Sequence, residues 1–402
     1  MNLMRYILII LLFTGLVPGS LYGQDEHDDY LQGVARMSEG KYQEAIANFS
    51  GALTRDPGKN EYYLKRAECR YALQDYAGAL TDLGNIDNQE IRSLLAARCH
   101  ARTGNVAESL QYLEKHLRSP YKQPENILLL DPAFDGLENN SQWKALWRKE
   151  WYDDDERNIA EVNFLIRKEK YLDALELLNQ DAEALSSRHE LLALRAEAFL
   201  GLGNLNNCIT DLTAAIGRNG SIPSYYNRRA EVYGRQGKYN KAVEDYTRSL
   251  QLDPDQLNVY YERAQAYRAM NEPGKAAVDM EFLVRYFPDN EKYLYETGRD
   301  HQLNKNYLGA LKRYNSLLQI SKDSASYFQA RGETYLATRI YRYAEKDFSM
   351  ALDLDPYNSA CYLNKGLARF YQGDTQGACT DWSKAYQYGS DEAANLMVKH
   401  CK

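Results

Sequence analysis

The chain has 402 residues and is poor in the features that would assign it a class at once. It holds only 10 prolines and no Gly-X-Y period, which excludes collagen and proline-rich low-complexity chains. Six cysteines are scattered from Cys69 to Cys401 without C-x-x-C or Cys/His zinc spacing. That excludes a disulfide-dense miniprotein and a zinc module. Basic charge is not in excess: 49 Lys and Arg against 56 Asp and Glu leave a net −7, so the electrostatic footprint of a nucleic-acid binder is missing. After Val17 no apolar run approaches the roughly 20 residues of a bilayer span, so the mature chain is expected to have no transmembrane segment. The 6 histidines include no i, i+4 pair for a metal. No G-x-S-x-G elbow, H-E-x-x-H, phosphate-binding loop or EF-hand loop occurs. GLGNLN at Gly201 lacks the third glycine and the preceding strand of a dinucleotide fingerprint. The expectation is a non-enzymatic chain, with no metal and no cofactor.

The N-terminus reads as a secretory signal over residues 1–23. Arg5 precedes an apolar run from Tyr6 to Val17, Pro18 and Gly19 break it, and small Gly23 suits cleavage before Gln24. A membrane anchor would need a longer core, and Asp25, Glu26, Asp28 and Asp29 follow immediately. The mature chain is therefore expected in the periplasm or outside the cell. No cysteine precedes Cys69, which argues against a lipid-modified N-terminal cysteine. An oxidising compartment permits disulfides, and Cys379 with Cys401 is the pair to test. The other cysteines read as small, buried helix residues.

Hydrophobic residues make up 44% of the chain, enough for a core, and tyrosine supplies 34 of its aromatic side chains. Blocks of 34 residues beginning at 155, 189, 223, 257, 291, 325 and 359 align without insertion or deletion. The eighth place holds Val162, Ala196, Ala230, Ala264, Gly298, Gly332 and Gly366. The twentieth holds Ala174, Cys208, Ala242, Ala276, Ala310, Ala344 and Ala378. Small residues there let two helices approach closely. The twenty-fourth place reads Leu178, Leu212, Tyr246, Met280, Tyr314, Phe348 and Trp382, a complementary column of large residues. Each block spells two amphipathic helices joined by a tight turn, marked by Gly203, Gly237 and Gly373. One pair cannot bury its apolar face alone, so neighbours must stack. Acidic residues on these helices are expected on solvent faces, and His301 is expected to be a satisfied packing residue.

These columns resemble the tetratricopeptide repeat family. YNRRAEVYGRQGKYNKAVEDYTRSLQLDP, from Tyr226 to Pro254, fits its pattern at nearly every defining place, and the stretch from Ser326 to Pro356 fits almost as well. Asp181 and Pro273 depart from it. Upstream, Gly33, Ala67 and Ala97 take the eighth place and Ala45, Ala79 and Ser109 the twentieth. The resemblance implies an all-α, right-handed superhelical solenoid of stacked helix-turn-helix repeats. Its expected organisation is a first array over 24–120 with three repeats, an array-closing segment over 121–154, a second array over 155–392, and a capping helix over 393–402. In the closing segment, Asn140 or Ser141 is suited to cap a helix carrying Trp143, Trp147 and Trp151. Those tryptophans are either packing against the array end or an aromatic ligand surface, and burial decides between the two.

In this family the first helices of the repeats line a concave groove at places 2, 5, 9, 12 and 13. The resemblance therefore implies a partner-binding surface at Asn258, Tyr261, Gln265, Arg268, Lys292, Tyr295, Arg299 and Gln302. In the final repeat the more apolar Leu363, Leu367, Phe370 and Tyr371 fall at these places, and Phe370 and Tyr371 are expected to pack against the capping helix. The Lys and Asn set with which some family members clamp a peptide's C-terminal carboxylates is not reproduced. The leading reading is an interaction scaffold of the cell envelope that holds an extended peptide or partner protein. A carbohydrate or cell-wall glycan binder is the alternative, because aromatic rings can stack on sugars, and an accessory to a partner enzyme is a third reading.

Overall fold

A computed structural model describes residues 20–180, 185 and 187–401, and all regular structure among them is helical. Most of the signal read over 1–23, including its apolar core, and Asp181 lie outside the described residues. The chain divides into two compact units, Met1–Gly203 and Asn204–Lys402. This boundary falls inside the block that starts at 189, after its first helix.

The first unit contains α1 (Ser20–Ser38), α2 (Tyr42–Arg55), α3 (Asn60–Ala72), α4 (Tyr76–Gly84), α5 (Gln89–Arg102) and α6 (Val106–Leu117). After these come α7 (Glu125–Leu129), a 3₁₀ turn (Pro132–Phe134), α8 (Ser141–Trp147), α9 (Asp154–Arg167), α10 (Tyr171–Asn179) and α11 (His189–Gly201). The second unit starts with α12 (Leu205–Arg218), α13 (Pro223–Arg235), α14 (Tyr239–Leu252), α15 (Leu257–Ala269), α16 (Pro273–Tyr286) and α17 (Glu291–Leu303). It continues with α18 (Tyr307–Ile320), α19 (Ala325–Ala337), α20 (Tyr341–Leu354), α21 (Ser359–Tyr371), α22 (Thr375–Gln387) and α23 (Asp391–His400). Pro273 opens α16 at its first turn, where no amide hydrogen bond is lost.

The small columns are contact points. Every alanine of the twentieth place is fully buried. A Cβ added to Gly298 would lie 2.4 Å from the Tyr314 ring, so the eighth place must be glycine where the facing ring comes this close. The same holds for Gly366 against Trp382, at 2.4 Å. Val162 and Ala264 occupy that place where the facing residue is the slimmer Leu178 or Met280. The turn between helices places its fifteenth residue at positive φ in every block, whether it is Gly237, Lys305 or Arg339. That conformation lets the next amide reach back, as Lys238 N does to the Tyr233 carbonyl at 2.9 Å.

The acidic residues expected on solvent faces are in part buried. Asp245, Asp279 and Asp347 are each less than 7% exposed, and each accepts a two-pronged hydrogen bond from an arginine sixteen residues earlier: Arg229, Arg263 and Arg331, at 2.7–2.9 Å. The remaining arginine nitrogen donates to the preceding repeat, at Thr213, Thr247 and Asn315, 2.8–3.1 Å away. Arg66, Asp82 and Ser50 repeat this arrangement in the first unit. Each arginine is a staple between consecutive repeats, because a carboxylate inside the helix stack is tolerated only when paired. In the block at 291 the roles are exchanged. Thr297 replaces the arginine, and Arg313 reaches back to Glu281, which His301 also bonds through Nε2 at 2.7 Å. His301 is thus a satisfied packing residue.

The segment after α6 closes the first array. Phe134, Trp143 and Leu146 are buried against Leu110, Leu113 and Leu117 of α6, with the Phe134 and Trp143 rings 5.6 Å apart. Asp131 caps the 3₁₀ turn and accepts from Arg98 Nε at 2.6 Å. Asn140 caps α8. Trp147 and Trp151 are half-buried in the same cluster, so the three tryptophans pack and form no open aromatic face. Asp153 and Glu156 build a capping box at the start of α9, which accounts for the acidic run there. At the far end α23 starts two residues before the expected 393, capped by Ser390, and Cys379 is disulfide-bonded to Cys401. Leu363, Leu367 and Phe370 pack beneath this helix, with the Phe370 and His400 rings 4.5 Å apart. Tyr371, expected there too, is instead 57% exposed and stacks on Tyr341, because it is turned away from the capping helix towards the preceding repeat.

Candidate protein-binding groove

Asn258, Tyr261, Gln265 and Arg268 lie on α15, and Lys292, Tyr295, Arg299 and Gln302 on α17. Their spacing of three and four residues puts each set along one helix face. Both helices belong to the second unit, so the eight residues lie in one compact body. The structure brings Gln265, Arg268 and Arg299 into one open cleft of about 560 Å³, together with Glu296, Asp300 and Leu303. Tyr261 joins them through its hydroxyl, which accepts from Gln265 and donates to Glu296 at 3.2 Å. Gln302 accepts from Tyr314 at 3.0 Å, and Asn258 sits exposed at the start of α15.

The charges are not equally available. Arg268 is held by both oxygens of Asp300, at 2.6–2.9 Å, and by Glu296 at 2.6 Å. Burial opposes its charge, but the two carboxylates more than offset this and keep the guanidinium above its ordinary range. Arg268 is therefore a framework residue that sets the cleft wall. Lys292 covers the Tyr261 ring, 4.5 Å from its centroid, and its hydrogen bond with Tyr261 raises the ammonium. Tyr295 is tilted between Tyr314 and Tyr327, with centroids 6.2 and 5.4 Å away. Arg299 is exposed and, among the described residues, has no ion-pair partner. The sequence pattern pointed to Arg268 and Arg299 alike. It missed Glu296 and Asp300, whose signal is a carboxylate one repeat ahead, 28 and 32 residues away.

No helix among the described residues is long and apolar enough to cross a membrane. Nor do three His, Cys, Asp or Glu side chains converge there as metal ligands would. What the fold and this surface define is a helical-repeat scaffold. Residues 30–86 and 223–256 each match a family model described as tetratricopeptide repeat, so the chain carries tetratricopeptide repeats. Proteins of this family bind proteins or peptides and are generally non-enzymatic scaffolds. No curated protein matches the sequence.

Among solved structures, the C-terminal part of a TPR repeat-containing protein from Cytophaga hutchinsonii is similar over 59% of this chain and 98% of its own, at 15% identity and TM-score 0.46. A tetratricopeptide repeat protein from Parabacteroides merdae is similar over 61% and 97%, at 19% identity and TM-score 0.38. YrrB, described as a TPR protein with an unusual peptide-binding site, is similar over 47% and 97%, at 19% identity and TM-score 0.41. At these values the likenesses add nothing on ligand or partner.

Proposed function

We propose that the protein is an interaction scaffold of the cell envelope, exported by its N-terminal leader, and that it holds an extended peptide or a partner protein in the groove of α15 and α17. The observation that carries this reading is the cleft formed by Gln265, Arg268 and Arg299 on two adjacent first helices. Its wall is set by internal ion pairs, so little side-chain ordering remains to oppose binding. Glycan stacking is the weaker reading, because the ring face of Tyr261 is covered by Lys292 and Tyr295 packs against two other tyrosines.

The test is a pull-down from envelope extracts with the wild type and a Tyr261→Ala/Tyr295→Ala/Arg299→Ala variant. Loss of a partner by the variant is expected, whereas retention of every partner would show the groove to be wrongly placed. Retention on insoluble glycan by the wild type alone would favour the second reading. Export is tested separately by N-terminal sequencing of the protein recovered from the envelope fraction, where a start at Gln24 is expected. A start at Met1 in the cytoplasmic fraction would remove the envelope from the proposal.

A further inference from the structure

The groove holds two charges of opposite sign that its own framework leaves unpaired. Arg299 on α17 is one. The other is Glu262 on α15, also exposed and without an ion-pair or hydrogen-bond partner among the described residues. Its surroundings are acidic on the side of the preceding repeat: burial and the facing Glu231 push its carboxyl up, while Lys292 pulls it down. The remaining groove charges are engaged. Glu231 takes Arg228 at 2.6 Å and Arg235 at 2.6 Å. Glu296 and Asp300 take Arg268. Glu333, on the far side of Arg299, accepts from Gln329 at 2.9 Å, and Lys292 lies on the Tyr261 ring. Leu303 lies 64% exposed beside Arg299 and gives that end of the cleft an apolar edge.

We infer that this groove selects an extended segment with a basic side chain seated at Glu262 and an acidic one seated at Arg299. The two anchors sit on consecutive first helices, a step of about 10 Å, which an extended chain covers in roughly three residues. The partner motif is thus a basic and an acidic residue about three positions apart, in one order only. Opposite anchors fix direction as well as affinity, since the reversed segment would set like charges against each other at both ends. The inference rests on the groove reading and adds the chemistry and polarity of the occupant.

The probe is a library of random 12-residue peptides displayed on phage and selected on the full mature chain. The best binders are then synthesised and titrated against the wild type, Arg299→Glu, Glu262→Lys and the double exchange. Both side chains are exposed and unpaired, so these variants are expected to keep the wild-type circular dichroism. Enrichment of a basic and an acidic residue three apart in one order is expected. Each single variant should weaken binding about tenfold or more, and a peptide with its two charges exchanged should recover on the double variant. Peptides that lose binding on Tyr261→Ala/Tyr295→Ala but ignore both charge variants would overturn this inference and leave the groove standing. Peptides indifferent to all these variants, or no enrichment at all, would sink both.

Discussion

At the scale of single residues, the fit between the eighth and twenty-fourth places is the most exacting constraint in the repeat. Gly298→Ala places a methyl 2.4 Å from the Tyr314 ring, whereas Gly332→Ala meets Phe348 at 3.0 Å. The first substitution is expected to cost about 1–3 kcal/mol through overpacking and the second less. Urea unfolding of the two variants checks the order, and adding Tyr314→Leu to Gly298→Ala should recover most of the loss. Equal cost in both variants would mean the ring moves aside freely. These columns were legible because size recurs at a fixed period. The arginine staples were not, although Arg229, Arg263 and Arg331 also recur every 34 residues or a multiple of it. A charged side chain at a helix position ordinarily reads as solvent-facing, and only the buried Asp245, Asp279 and Asp347 show otherwise. The pairing of Arg268 was hidden for another reason: its partners lie on the next repeat, beyond any spacing within one helix.

At the scale of elements, the turn and the closing segment each make a prediction. Arg339 holds φ at 64° in the turn between α19 and α20, a conformation that costs a side-chain-bearing residue about 1–2 kcal/mol. Arg339→Gly is expected to stabilise the chain by up to ~1 kcal/mol, since glycine also gains freedom in the unfolded state. A thermal midpoint lower than that of the wild type would refute this.

The closing segment hangs on His116, which is buried and whose Nε2 accepts from the Gln123 amide at 2.9 Å. Burial, helped by the charge of Arg98, lowers its pKa to about 4. A folded state that keeps this imidazole neutral gains full stability above the ordinary value near 6.5. It loses that stability as pH falls from there towards 4, in total on the order of 3 kcal/mol. Urea midpoints at pH 7 and pH 5, followed by tryptophan fluorescence, should fall for the wild type and fall less for His116→Gln, whose amide can still accept the Gln123 hydrogen bond. Parallel falls would assign the acid sensitivity to other groups. The pattern of tryptophans announced this segment, but whether they pack or bind was settled by burial alone.

At the scale of the whole molecule, the repeats depend on their neighbours and the ends need separate protection. The second unit ends in the Cys379–Cys401 disulfide, which joins residues 22 apart and fastens α23 over Trp382 and Phe370. Closing a loop of this length contributes about 3 kcal/mol in the chain-entropy picture. Reduction is expected to raise amide exchange in 391–400 and in the part of α21 beneath it, with little change in 223–286. A uniform rise, or none, would show that the bond does not act as an end clamp.

The staples carry a further consequence for how this unit comes apart. Beyond the aspartate of its own repeat, each arginine engages only the repeat before it, so the unit is expected to open like a zip fastener, tooth by tooth, once an end is freed. Between the blocks at 257 and 291 the fastening differs: Arg313 grips Glu281 from one side while Arg268 grips Asp300 and Glu296 from the other. Under a pulling force the slider would stall at this doubled tooth, and the stretch of chain that carries Tyr261 and Arg299 would be the last to let go.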